Sequence, residues 1–233
     1  MANNPVLSLS PQARDWLKVI AFVAMVIDHS AIAFGWHETW MRMAGRVAMP
    51  IFALVWACNV TSHPVTPASL QKTWLWAALA QPLFFLALRT SGQDWYQLNI
   101  LFLFAVWGQV LYATDRRTAL TACFAFIAVA AYIPLSASSY GLRGMLLMAV
   151  SVGLFRVSPR HDALMLMAWL VTVFALNVPN GIPMALAGLC LTLIITALCS
   201  VLLHRHTRLY CTRWFAPAYA LHLGLLFVLA TVV

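Results

Sequence analysis

Asp28 and His29 stand side by side in the stretch "AMVIDHSAIAF", Ala24 to Phe34, between the apolar flanks "WLKVIAFV" and "AIAFGW". A carboxylate and an imidazole can take a proton, carry an acyl group or hold a cation, but an ionised side chain in hydrocarbon costs on the order of several kcal/mol. A partner must offset that cost, and Arg46 is placed to be one. The first apolar hairpin turns near His37–Glu38, so Asp28 and Arg46 both lie about 12–15 Å along their helices from the turn. Arg42 is one helical turn from Arg46 on the same face, with Gly45 beside it and Pro50 beyond. Asp28 and His29, being consecutive, diverge by about 100° around a helix and therefore serve different partners.

Further candidates are Gln81 before Pro82, Asn99, and His222 in "WFAPAYALHLGLL". Gln81 and Asn99 read as amides that hold helices together, whereas Asp28, His29 and Arg46 read as functional groups. The basic segments "TDRRT" and "HRHTRLYCTR" supply Arg116, Arg117, Arg205 and Arg208, which can hold the phosphates of a nucleotide-like ligand. The bias of cytoplasmic loops toward positive charge explains the same residues without any ligand.

The elements that position these groups follow from composition. Of 233 residues, 63% are hydrophobic and 9% charged, with a mean hydropathy of +0.86, which excludes a soluble globular domain and specifies a polytopic helical membrane protein. Spanning about 30 Å of hydrocarbon takes about 20 residues at about 1.5 Å each. The apolar runs predict about nine transmembrane helices, within a range of eight to ten: 16–36, 40–60, 72–88, 98–113, 118–135, 142–157, 163–177, 182–203 and 214–233. No linker or repeat divides them, so residues 1–233 are expected to form a single domain. The first run ends in an "AIA" that resembles a cleavage site, but its weakly basic leader and the polar Asp28–His29 pair mark a retained span.

The N-terminus inside places Arg14, Lys18, Lys72, Arg116, Arg117, Arg156, Arg160, Arg205, Arg208 and Arg213 on the cytoplasmic face, leaving Arg42, Arg46, Arg89 and Arg143. That asymmetry predicts an N-in, C-out topology. The net charge of +8 is scattered over short loops, with no stripe that would address nucleic acid. Five cysteines show no metal-ligand spacing and read as buried thiols, and neither a phosphate loop nor a Ser-His-Asp arrangement is evident.

"LKVIAFVAMVIDH" followed by "MRMAGRVAMPIFALVWA" resembles the start of the TraX family, in which an Asp-His ends the first span and a Gly-Arg-x-x-x-Pro-x-Phe motif occupies the second. "LAQPLFF", "LNILFLF" and "YALHL", which contains Tyr219 and His222, follow that family's order of motifs. The third block departs from the usual Ser-Gln-x-Pro, and the last from Tyr-Pro-x-His-Leu. The resemblance implies N-acetylation of a conjugative pilin subunit from acetyl-CoA in the bacterial inner membrane, and a likeness to multi-span acyltransferases. By it Asp28, His29, Arg46 and His222 are catalytic candidates and Gln81 and Asn99 supporting ones; Arg42, on the face of Arg46, and Tyr219, near His222, are further supporting candidates. Acyl transfer to an amine needs a base and an oxyanion stabiliser. His29 is the candidate base or transient acyl carrier, His222 the reserve, and Arg46 the group for the carbonyl. The four loop arginines would then face the CoA phosphates, with no metal required. The expected partners are the pilin, the bilayer and the conjugation machinery. Two other readings remain open at this point: a non-catalytic scaffold of the type IV secretion apparatus, and a proton-coupled transporter.

Overall fold

A computed structural model describes residues 8–92, 94–203, 209 and 214–232. Among these the fold is entirely helical. The helices are α1 (Pro11–Ala33), α2 (Thr39–Gly45), α3 (Ala48–Ser62), α4 (Pro67–Leu88), α5 (Ile100–Arg116), α6 (Ala119–Leu135), α7 (Gly141–Arg156), α8 (Asp162–Asn177), α9 (Ile182–Leu202) and α10 (Phe215–Val232).

Every apolar run of the sequence falls on helix, but the expectation of nine spans is not what length and apolarity deliver. Among the described residues six segments are long and apolar enough to cross a bilayer: Pro11–Ala33, Thr39–Ser62, Ala137–Arg156, Pro159–Asn180, Ile182–Leu202 and Phe215–Val232. The physical reason is plain in the other three. α5 and α6 have 17 residues each, about 26 Å of rise against about 30 Å of hydrocarbon. α4 is long enough, but Gln71, Lys72 and Gln81 dilute its apolar surface.

The chain gathers into two compact units assembled from alternating stretches. The first comprises Met1–Ala31, His37–Thr61 and Leu146–Arg213, and so holds most of α1 and α7 together with α2, α3, α8 and α9. Here α9 packs against α8 and α2. Buried Trp169 of α8 donates its indole N–H to Ser151 of α7 at 3.1 Å. At the start of α1, buried Asp15 accepts from Lys18 Nζ at 3.1 Å and from the backbone N–H of Leu209 at 3.0 Å. Arg14 donates to Asn59 Oδ1 at 3.0 Å, and the Ser10 hydroxyl donates to the Leu203 carbonyl. The Ser10 bond gives the carbonyl just past the end of α9 a partner that its own helix lacks.

The second unit comprises Ile32–Trp36, Ser62–Met145 and Trp214–Val233. α4 is its centre, packed against α5 and α10, and α5 packs in turn against α6. Its helices begin where the sequence provides caps. Thr66 and Ser69 form a capping box before Pro67, Asn99 caps α5 and Thr118 caps α6. Apolar side chains left exposed on α6 and α10, such as Phe126 and Leu221, face acyl chains in a bilayer, where their burial against protein is unnecessary.

Candidate functional site

The site begins with a proline. Pro50 has no N–H to give the carbonyl four residues earlier, that of Arg46, and its ring crowds that carbonyl. The run expected as one continuous span accordingly breaks at Arg46–Val47. Arg46 N–H turns to the Met43 carbonyl at 3.1 Å and Val47 N–H to Ala44 at 3.4 Å, both three residues back, before Ile51 N–H to Val47 at 3.1 Å restarts the regular pattern. The break leaves the Arg46 side chain lying against the last turn of α2, where its Nε donates to the Arg42 carbonyl at 3.0 Å.

Arg46 Nη2 then reaches Asp28 Oδ1 at 3.0 Å, and Arg42 Nη1 meets the same oxygen at 2.8 Å. One carboxylate oxygen thus gathers two guanidiniums. Arg46 is the deeper, with 7% of its side chain exposed against 33% for Arg42. The pairing inferred from depth is the one the fold makes, and Arg42 joins it. His29 is half-buried on the adjoining face of α1, within the electrostatic reach of both guanidiniums.

Two glycines make the approach possible. A Cβ on Gly45 would stand 2.4–2.6 Å from Cβ, Cγ and Oδ1 of Asp28, closer than a methyl carbon approaches its neighbours. A Cβ on Gly188, in α9, would stand 3.0 Å from Arg46 Cβ and 2.6 Å from Nδ2 of Asn177. Asn177, the last residue of α8, is 1% exposed, and Thr192 donates to the Gly188 carbonyl at 2.6 Å. Asn177 and Gly188 therefore complete the wall around Arg46, although no motif marked them in the sequence. The available signal was faint: a glycine one turn before a threonine in an otherwise apolar run.

The other candidates lie in the second unit. Asn99 and Gln81 form a clamp between α4 and α5. Asn99 Nδ2 donates to the Ala77 carbonyl at 2.8 Å and to Gln81 Oε1 at 2.9 Å; its own N–H donates to Gln81 Oε1 at 3.0 Å. Gln81 Nε2 donates to the Gln97 carbonyl at 2.8 Å, and Asn99 Oδ1 accepts from Leu101 N–H at 2.9 Å. Both amides are engaged in joining and capping helices beside Pro82, the interhelical role read from their types. Within the preceding connection Tyr96 donates to Asp94 at 2.7 Å; that hydrogen bond, with the carboxylate charge, holds the Tyr96 phenol above its ordinary pKa.

His222 and Tyr219 are buried on α10 with their rings edge to face, centroids 5.3 Å apart. Arg116 lies over the Tyr112 ring at 5.4 Å. Arg117 ends α5 in the left-handed region at φ 54, its N–H bonded to the Ala113 carbonyl at 2.8 Å. Both arginines are exposed. Arg205 and Arg208 lie outside the described residues.

What the arrangement can do chemically is hold an electron-rich oxygen. A carboxylate that fixes two guanidiniums, one buried and one open, presents oriented N–H donors with an imidazole alongside, the components of oxyanion stabilisation and proton transfer.

Comparison with known proteins gives the site a family context. The family described as TraX protein matches residues 13–230. "Protein TraX" of Escherichia coli is 39% identical over 223 residues, covering 95% of this chain and 88% of the relative. "Protein TraX" of Escherichia coli strain K12 is 38% identical over 227 residues, covering 97% and 90%. No solved structure matches.

Proposed function

The chain belongs to the TraX family, and from that premise we propose that it is a membrane-bound N-acetyltransferase that moves an acetyl group from acetyl-CoA to the N-terminal amine of a conjugative pilin subunit. The observation that carries the reading is the shared Asp28 oxygen at the α2–α3 break, with Arg42 at 2.8 Å, Arg46 at 3.0 Å and His29 adjoining. A structural ion pair needs one guanidinium; a site that must also polarise a carbonyl has use for the second.

In the proposed step the acceptor nitrogen attacks the thioester carbonyl carbon. A C–N bond forms, negative charge collects on the carbonyl oxygen facing Arg46, and the C–S bond then breaks. His29 takes the proton from the nitrogen and returns it to the departing thiolate of CoA. Asp28 orients the arginines. His222 is the reserve base with Tyr219 beside it, and Arg116, Arg117, Arg205 and Arg208 are the candidates to receive the CoA phosphates by charge. The setting is the bacterial inner membrane, with nine spans, N-in and C-out. On that topology the enzyme meets a cytoplasmic donor and an acceptor amine on the opposite face.

The test is the intact mass and N-terminal peptide map of membrane pilin from cells with the wild-type chain, without it, and with His29→Ala at matched expression. An acetyl group found only with the wild type is the expected result, since loss of a general base lowers rate by about 10²–10⁴-fold. Identical pilins in all three samples remove pilin as the substrate. That outcome favours the scaffold reading, which the Gln81–Asn99 clamp already illustrates for other polar groups of this chain.

A further inference from the structure

The clamp holds more positive charge than negative. Asp28 contributes one carboxylate, and both Arg42 and Arg46 meet it on a single oxygen. Among the described residues the other ion pair is Lys18–Asp15, at the opposite end of α1. Glu38, one turn before Arg42, is exposed at the N-cap of α2, and His29 can add only positive charge. One unit of positive charge is therefore left over where the chain enters the bilayer.

Its depth can be read from the helix. Arg42 is three residues into α2, about 4.5 Å along its axis. Trp40, two residues earlier, is 60% exposed, the behaviour of an indole at the headgroup level. Arg42 carries five N–H donors in a planar fork; its Nη1 stands in ionic contact with Asp28 at 2.8 Å without a hydrogen bond, and a third of the side chain is uncovered. A guanidinium at that level, tied on one side to a carboxylate and open on the other, matches the oxygens of a phosphate diester in geometry and charge.

We propose that the open side of Arg42 binds the phosphate of a bilayer phospholipid, which supplies the anion that the Asp28–Arg42–Arg46 clamp lacks. The lipid headgroup seats against α2 at the Trp40 level while its acyl chains run along the exposed apolar faces. Binding needs only the clamp and is independent of the acyl-transfer reading, so either can fail without the other.

The test uses the full chain purified in a neutral detergent. It is titrated separately with dioctanoyl phosphatidylcholine, with dioctanoylglycerol, which has the same tails and no phosphate, and with inorganic phosphate. Adducts are read by native mass spectrometry and stability by thermal shift. Saturable binding of phosphatidylcholine is expected, weakened about tenfold in Arg42→Gln and less in Arg42→Lys, with dioctanoylglycerol inert and inorganic phosphate competing only at far higher concentration. Equal binding of dioctanoylglycerol, or wild-type affinity in a folded Arg42→Gln, overturns the proposal and makes Arg42 a side chain that only reaches for water. Inorganic phosphate binding as tightly as the lipid also overturns it, in favour of a free anion. Should Arg42→Gln fail to fold, the wild-type comparison of the two lipids decides alone.

Discussion

Arg46 is held from three directions: by the Asp28 carboxylate at 3.0 Å, by the Arg42 carbonyl at 3.0 Å, and by the bare face of Gly188. Gly45→Ala places a methyl 2.4 Å from Asp28 Cβ, so the carboxylate must leave its place. The expected outcome is a loss of about 1–3 kcal/mol in stability, as for other overpacked interiors, together with loss of acetylation, read from a melt in detergent and from pilin mass. Gly188→Ala is expected to be milder, because the nearest atom, Asn177 Nδ2 at 2.6 Å, ends a side chain that can turn. Adding Asn177→Ala should then recover stability. If the double variant melts lower than the sum of the singles, Asn177 is not the obstacle. At this scale the sequence showed Asp28 and Arg46 because depth is a matter of counting residues from a turn. It hid Asn177 and Gly188 because their role depends on which helices are neighbours, and no count of residues supplies that.

Pro82 and Pro50 illustrate two uses of one residue type. In α4 the chain stays helical through Pro82. In the second span the helix parts at Arg46–Val47, four and three residues before Pro50. Asn99→Ala removes the cap on Leu101 and the bonds to Ala77 and Gln81, and should lower stability by about 1–3 kcal/mol, measured by thermal melt; Asn99→Asp restores the cap acceptor but not the donor and should fall between. Helix positions were legible from apolar runs and from the caps at Thr66, Asn99 and Thr118. The break was not read from the sequence although Pro50 carried its signal, because a proline near a charged residue signifies either a kink or a first turn. α4, α5 and α6 stand apart from the other runs by length or polarity, a difference that apolarity alone does not mark.

Ten basic residues on one set of loops against four on the other define the proposed orientation of the molecule. Single cysteines placed in a cysteine-free background test it: Glu38→Cys and Gly181→Cys should react with an impermeant maleimide in spheroplasts, and His63→Cys and Arg160→Cys only after permeabilisation. Reaction of Arg160→Cys alongside Glu38→Cys would mean that an even number of spans separates these positions, not the five counted. The two interleaved units left no mark in the sequence, because their stretches alternate without a linker between them. That alternation sets a timetable for synthesis. Asp28 and Arg46 are 18 residues apart and emerge within roughly 1–4 s of each other at about 5–20 residues per second, so the charges neutralise each other as the first hairpin enters the membrane. Asp15 waits for Leu209, 194 residues later, which takes roughly 10–40 s at the same pace. The clamp is thus an early event and its enclosure by α9 a late one. A nascent chain stalled between them has Asp28 in its clamp and Asp15 still awaiting the Leu209 donor.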